Sequence, residues 1–403
     1  MRVSVVVNNT VIYFISRPLV PPPDVFEAAL PLLDFSSYLA ALFSTSKAES
    51  LRTTPSTTFL IPENEAFKRL GLLVSAHLLS PSSKEDLENV LVHHVLASVQ
   101  YADSLRNGSQ HTFATLEGSD VTMERLPNGT TFTSSSGGWT GFRAELQTRD
   151  LLTQTGVIHE MSDIMIPRSV QITIGKLVKA AKGSMMATLV NKAGFEWILN
   201  GTAPPDGSPW ADEKFGKAAW TLLCPTDEAF KGYNLTYFLS DIPALQAIVA
   251  QHLIPTPPSS DFFEMSLNNN QPLVLEGATY STIRSVDSEF GDLVFEKRTD
   301  NNEYIVGIKG ARGSTDRQDW AHITAWGRST GPGTGGVLQI DRLLIPYRPT
   351  WWVSVGAPIS AGFVGVILIC LFFYGVRAIW RRDVTEATYE PIGGFGRDDD
   401  DDE

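Results

Sequence analysis

The sequence predicts an α+β protein built twice in tandem and followed by one membrane-spanning helix. Three observations carry this reading. An eleven-residue block, Thr58–Lys68, recurs as Thr221–Lys231 with seven identical positions. Within each repeat, helical apolar spacing comes first and alternating strand patterns follow, the order of an α+β domain. Near the C-terminus, 27 consecutive residues, Thr350–Val376, carry no charged side chain.

Two further blocks recur in the same order. Val90–Leu96 matches Ile248–Ile254 and aligns His94 with His252, and the apolar closing segment Gly156–Pro167 matches Gly336–Pro346. Three ordered blocks read as a duplication. A third copy of the closing segment, Thr10–Pro21, stands at the start and reads as the remnant of an upstream repeat. The first fourteen residues hold only a short apolar run, broken by Asn8 and Asn9, which makes a poor export signal. The chain is therefore expected to lack its true beginning. The expected organisation is a remnant closing strand at 1–23, domains at 24–168 and 169–348, a transmembrane helix at 351–376 and an acidic tail at 377–403.

In the first domain, apolar spacing predicts a helix over Val25–Leu42, and in the second over Ile174–Leu199. The β-rich blocks that follow stop at Pro62 and Pro225, since proline cannot continue a strand ladder. Asn64 and Asp227 sit where a helix would start and are expected to cap it, with Phe67 and Phe230 packing into the core. Leu87–Leu96 and Ile242–Leu253 are helical again. His94 and His252 end these stretches at equivalent points, and each is expected to be a buried histidine satisfied by a backbone carbonyl. Strands follow, with a hairpin turn at Asn128-Gly129 in the first domain. The second domain is longer. Its polar stretches Gly201–Pro209, Arg298–Asn302 and Gly310–Asp319 read as tolerated surface loops.

These blocks resemble the fasciclin (FAS1) family. TFLIPENEAF and TLLCPTDEAF are similar to its first motif, VHHV and AQHL to its Tyr-His motif, and VIHEMSDIMIP and VLQIDRLLIP to its closing strand. The resemblance implies a wedge-shaped β-sandwich with several helices, secreted or membrane-tethered, working in adhesion or matrix contact rather than catalysis. It gives motif positions to His159 and Asp341 in the closing strands. The chain departs from the pattern at His93 and Gln251, where the family usually has tyrosine, at Ser162 for aspartate and at Leu338 for histidine.

Composition narrows the function. The formal net charge is −13, and six of the acidic groups sit in Asp398–Glu403. Lys and Arg are not clustered, which argues against nucleic acid. Two cysteines, Cys224 and Cys370, cannot make a disulfide framework. Gly327–Gly331 satisfies G-x-S-x-G around Ser329, and Gly331–Gly336 satisfies G-x-G-x-x-G. Neither leads into a helix, so neither makes a nucleophile elbow or a phosphate loop. No catalytic, metal or cofactor site is expected.

About 20 apolar residues cross a bilayer. Trp351 and Trp352 on one side, with Tyr374 and Trp380 on the other, suit its two interfaces. Arg377, Arg381 and Arg382 place the C-terminus in the cytoplasm and the domains outside or in a lumen. Five glycosylation sequons precede the helix, at Asn8, Asn107, Asn128, Asn200 and Asn234. In the tail, Tyr389 to Ile392 fits the Tyr-x-x-Φ sorting pattern. The leading expectation is a non-enzymatic single-pass membrane protein that presents its domains for cell adhesion or surface contact. Protein or glycan surface ligands, or homotypic contacts, would be its partners. The alternative is a vacuolar or lysosomal membrane protein acting in membrane organisation or fusion, an arrangement some fungal family members resemble.

Overall fold

A computed structural model describes residues 3–208, 210–211, 218–256, 270–300, 302–311, 320–330, 335–348 and 357–383. Met1–Pro346 make one compact unit and Tyr347–Glu403 another. The first unit opens with an antiparallel hairpin, β1 (Val3–Val7) and β2 (Thr10–Phe14), turning at Asn8 in the left-handed region (φ 53°). Its apolar side chains from Val5 to Phe14 are exposed, and it joins neither larger sheet.

Next come α1 (Val25–Ala29), a 3-10 turn at Leu33–Phe35, α2 (Ser36–Phe43) and α3 (Ala48–Thr53). The single helix expected over 25–42 is thus two pieces. Asp24 caps α1 by accepting from the backbone N–H of Phe26 and Glu27, and Pro31 prevents continuation. Then follow β3 (Thr57–Pro62), α4 (Asn64–Arg69), α5 (Leu72–Leu78), α6 (Lys84–His93) and β4 (Val95–Leu96). The domain ends with β5 (Ser109–Ala114), β6 (Asp120–Arg125), β7 (Thr131–Ser135), β8 (Ala144–Leu152) and β9 (Gly156–Met161).

The second domain repeats this order. It has α7 (Ile174–Ala180), α8 (Ser184–Lys192), α9 (Glu196–Asn200), β10 (Ala219–Pro225), a 3-10 turn at Asp227–Phe230, α10 (Leu235–Ser240), α11 (Ile242–Gln251) and β11 (Leu253–Thr256). After these come β12 (Thr279–Tyr280), β13 (Leu293–Lys297), β14 (Tyr304–Ile308), β15 (Ala321–Arg328) and β16 (Gly336–Ile340). The helix expected over 174–199 is three pieces, broken where Lys182 (φ 53°) and Gly194 (φ 85°) turn left-handed. At Gly183 a Cβ would fall 2.2 Å from Cys224 Sγ, so the start of α8 crosses β10 only without a side chain.

Among the described residues each domain has one seven-stranded sheet. The orders are β4-β3-β9-β8-β7-β6-β5 and β11-β10-β16-β15-β14-β13-β12, identical in topology. Only β3·β9 and β10·β16 pair in parallel. β3 is buried along its whole length, as parallel strands covered on both faces are. Its side chains alternate between two cores. Phe59 and Ile61 enter a helical core, whereas Leu60 enters the interior of the sheet with Leu96, Val121, Met123 and Met161. In β10, Leu222 and Cys224 make the first kind of contact and Leu223 the second.

The closing strands stop at Met161 and Ile340, before the prolines that were expected to end them; Ile164, Met165 and Leu344 beyond are buried without strand pairing. The second unit contains α12 (Ala357–Asp383), in which Ile359–Arg381 is long and apolar enough to cross a membrane. Residues 351–356, and the tail with Tyr389 and Ile392, lie outside the described residues.

Asn64 and Asp227 do not cap the turns they begin. Asn64 Oδ1 accepts from Ser37 N at 2.8 Å, and Asp227 Oδ1 accepts from Met185 N at 2.8 Å. Each serves the second residue of a helix two elements before its strand, α2 before β3 or α8 before β10. Those helices have Phe35 and Gly183 at their N-caps, which supply no side-chain acceptor. The Asx residue therefore staples a remote helix to the end of the central strand. Asp227→Ala and Asn64→Ala should each cost about 1 kcal/mol in denaturant unfolding, with Asp227→Asn costing less because it keeps an acceptor. An unchanged midpoint in both alanine variants would discard the cross-element cap.

Candidate functional site

His94 and His252 close α6 and α11 in the same way. His94 Nδ1 donates to Val90 O at 2.7 Å, and its Nε2 accepts from Met165 N at 3.1 Å. His252 Nδ1 donates to Ile248 O at 2.8 Å, and its Nε2 accepts from Leu344 N at 3.1 Å. Their carbonyls take the N–H of Leu60 and Leu223 in the central strands. One neutral imidazole thus joins a helix end, the central strand and the segment after the closing strand. Both rings are fully buried, and burial is the main reason their pKa values fall, to about 3 for His94 and about 4 for His252. His93 adds a like-charge penalty at His94. Protonation would put a hydrogen on Nε2 against the N–H it accepts from.

The position before each clamp differs. His93 Nε2 lies 2.9 Å from Ser135 Oγ, and Nδ1 lies 3.1 Å from Ser119 Oγ and 3.4 Å from Glu117 Oε2. Serine, histidine and glutamate in a row suggest a triad, but Ser135 Oγ gives its proton to Ile166 O at 2.9 Å and His93 has no solvent exposure. The cluster is a packed polar network, and burial lowers the His93 pKa to about 4. Gln251, its counterpart, donates to Gly291 O at 3.0 Å. No sequence signal marked Glu117, Ser119 or Ser135, because their spacing follows no motif.

In the closing strands, His159 Nε2 meets Gln100 O at 2.8 Å, while Leu338 at the matching position is simply buried. Asp341 Oδ1 accepts from His322 N at 2.7 Å; Ser162 Oγ accepts from Glu145 N at 2.9 Å. Both residues do the same task, so the departure from aspartate changes the acceptor and not the bond. Pro62 and Pro225 end β3 and β10, Phe230 is buried and Phe67 is half-buried. Ser329, from the G-x-S-x-G string, is buried and donates to Gly335 O at 2.9 Å. Among the described residues no group of three or more His, Cys, Asp or Glu could hold a metal ion.

The two domains meet along a packed seam. α5 lies against α7 and β15. Trp139 Nε1 donates across it to Ser329 O at 3.1 Å; next to that contact Ile172 and Thr330, both of the second domain, exchange two hydrogen bonds. Asp86 accepts from Lys176 Nζ at 2.6 Å and lies 2.9 Å from His77 Nε2. At Gly327 a Cβ would fall 2.9 Å from both Leu73 Cβ and Leu177 Cδ2.

Two outcomes follow from this geometry. With folded pKa values below the unfolded value near 6.5, the unfolded chain binds more protons, so stability is full above that value and is lost as pH falls toward 4. At pH 5 the uncoupled His252 alone costs about 2 kcal/mol. Unfolding midpoints between pH 7.5 and 4.5 measure this, and His252→Ala should flatten the slope while lowering stability by about 2 kcal/mol or more at pH 7.5. Gly327→Val should cost about 1–3 kcal/mol by overpacking the seam and raise protease cleavage near residues 168–172. Unaltered cleavage with an unaltered midpoint would mean the seam tolerates the added side chain.

Comparison with known proteins places this geometry. Residues 33–167 match the model of the fasciclin domain. Human periostin is 28% identical over 221 residues, 55% of this chain and 23% of periostin. A fasciclin-like arabinogalactan protein of Arthroderma benhamiae is 26% identical over 170 residues, 42% of this chain and 36% of the relative. The pig transforming growth factor-beta-induced protein ig-h3 is 25% identical over 225 residues, 56% and 29% respectively. The chain thus spans about a quarter to a third of the length of the curated relatives it matches. A solved FAS1 domain pair from the insect cell adhesion molecule fasciclin I covers 77% of this chain and 97% of its own, at 13% identity and a TM-score of 0.29. The match makes residues 33–167 a fasciclin (FAS1) domain, and the same strand order recurs in the second half of the chain.

Proposed function

We propose that this chain is a non-enzymatic, single-pass membrane protein that holds a FAS1 pair outside the cell for adhesion or surface contact. The domains are 24–168 and 169–348, and 1–23 carries a third copy of the closing strand. The anchor is 351–376 and the cytoplasmic tail 377–403. The observation that carries this is the apolar helix Ile359–Arg381, whose positive end (Arg377, Arg381, Arg382) follows the domains in the chain. The matched fasciclin domain supports the contact role. All five sequon asparagines, Asn8, Asn107, Asn128, Asn200 and Asn234, are exposed, as glycosylation of an external domain requires.

The vacuolar alternative sets the domains in an acidic lumen, where neutral buried His93, His94 and His252 each oppose folding. That favours the cell surface. Expressed in cells, the full chain should stay in the pellet on alkaline carbonate extraction. Its bands should sharpen and shift with peptide N-glycosidase, and external protease should remove the domains while sparing a tail epitope. Release by carbonate, or protection of the domains in intact cells, would rule the topology out. Accumulation in vacuoles that depends on Tyr389 would establish the alternative.

A further inference from the structure

The second domain has a cleft of about 510 Å³, within the range of small-ligand sites, at a place where the first domain has nothing comparable in chain length. Two connections that are short in the first domain build it. Between α3 and β3 run three residues, 54–56; between α9 and β10 run eighteen, 201–218. Between β5 and β6 run five, 115–119; between β12 and β13 run twelve, 281–292. The stretch Gly201–Pro209, which its composition suggests is an idle loop, leads into Trp210. That ring packs 5.9 Å from Phe195 and edge-on to Trp220 at 6.5 Å, and it lines the cleft half-exposed. The other long connection supplies Arg284 and Asp287, and α11 supplies Gln246. Polar and apolar groups share the lining.

We propose that this cleft binds a short neutral oligosaccharide. A pyranose ring has one face of C–H groups and a rim of hydroxyls. The C–H face suits the electron-rich face of the half-exposed Trp210, which the buried Phe195 backs. The hydroxyls, each both donor and acceptor, suit a guanidinium, a carboxylate and an amide placed together, whose charges balance. A ligand of strong net charge would oppose either Arg284 or Asp287. A purely apolar ligand would set carbon against the Asp287 carboxylate and the Gln246 amide, which is costly. The site rests on the surface-contact reading above and names a ligand for it.

The test uses the full chain in lipid nanodiscs, avoiding sugar-headed detergents. Tryptophan fluorescence and calorimetry follow titration with laminarihexaose, cellohexaose, mannohexaose and chitohexaose, with hexagalacturonate as the acidic control. At least one neutral hexamer should bind at sub-millimolar concentration. Trp210→Ala should weaken it about tenfold, and the exposed Asp287→Ala and Gln246→Ala about threefold each, with melting temperatures of the latter two unchanged. No binding by any neutral hexamer at millimolar concentration overturns the proposal. So does binding indifferent to all three variants, or binding by hexagalacturonate alone. A failed titration with an intact surface topology removes the cleft and leaves the topology, and the reverse result removes the topology and leaves the cleft.

Discussion

Each domain depends on two parallel strands buried on both faces. β3 and β9, or β10 and β16, lie far apart in the chain, so each pairing closes a long loop. A helical core covers one face and the rest of the sheet curls over the other, which is why Phe59 and Leu60 enter different cores from adjacent positions. A contact of such long sequence separation is entropically costly to close. The histidine clamps act at that closure. Each joins the end of a helix to the segment just past the closing strand, where a strand ladder no longer holds the chain. The clamp works only while the ring is neutral, because one nitrogen must donate and the other accept.

Much of this was legible from residues alone. The duplication was visible because the motifs lie on the strand pair and the clamps, where burial on every side leaves little choice of side chain. The strands of the first domain were legible from period-two alternation, and the membrane helix from its length. What escaped was set by contacts between distant segments. Asn64 and Asp227 stand where local caps stand, yet they serve α2 and α8, and only the folded approach of those helices shows it. Helix breaks at Pro31 and at Lys182-Gly183 were readable in principle, from proline and from the turn residue, but apolar spacing runs straight through them. The Glu117–His93–Ser135 network has no sequence signature at all.

The two copies show which features tolerate replacement. Where a bond is needed, chemistry changes but the role stays: Ser162 and Asp341 both accept from the neighbouring strand. Where a volume is needed, polarity can change, as His159 gives way to Leu338. His94 and His252 do not vary between the copies. An alanine would orphan a buried carbonyl and a buried N–H together, whereas the N–H that His159 accepts, from Asp150, is held at a long 3.5 Å.

Divergence concentrates on the outside, and this bears on how contact would be made. The seam joins the domains through Trp139 on Ser329 O, Lys176 on Asp86 and the packing of α5 on α7 and β15, so they do not act as beads on a flexible string. Had both domains carried the same surface, one chain could engage a partner twice. Only the second has the long connections that make the cleft, so contact through the proposed site would be single per chain. On the proposed anchoring, avidity would then come from many chains sharing one bilayer, where lateral density replaces linker length as the quantity that sets effective concentration. A duplicated scaffold with one specialised copy thus points to strength through crowding on a surface rather than through repetition along the chain.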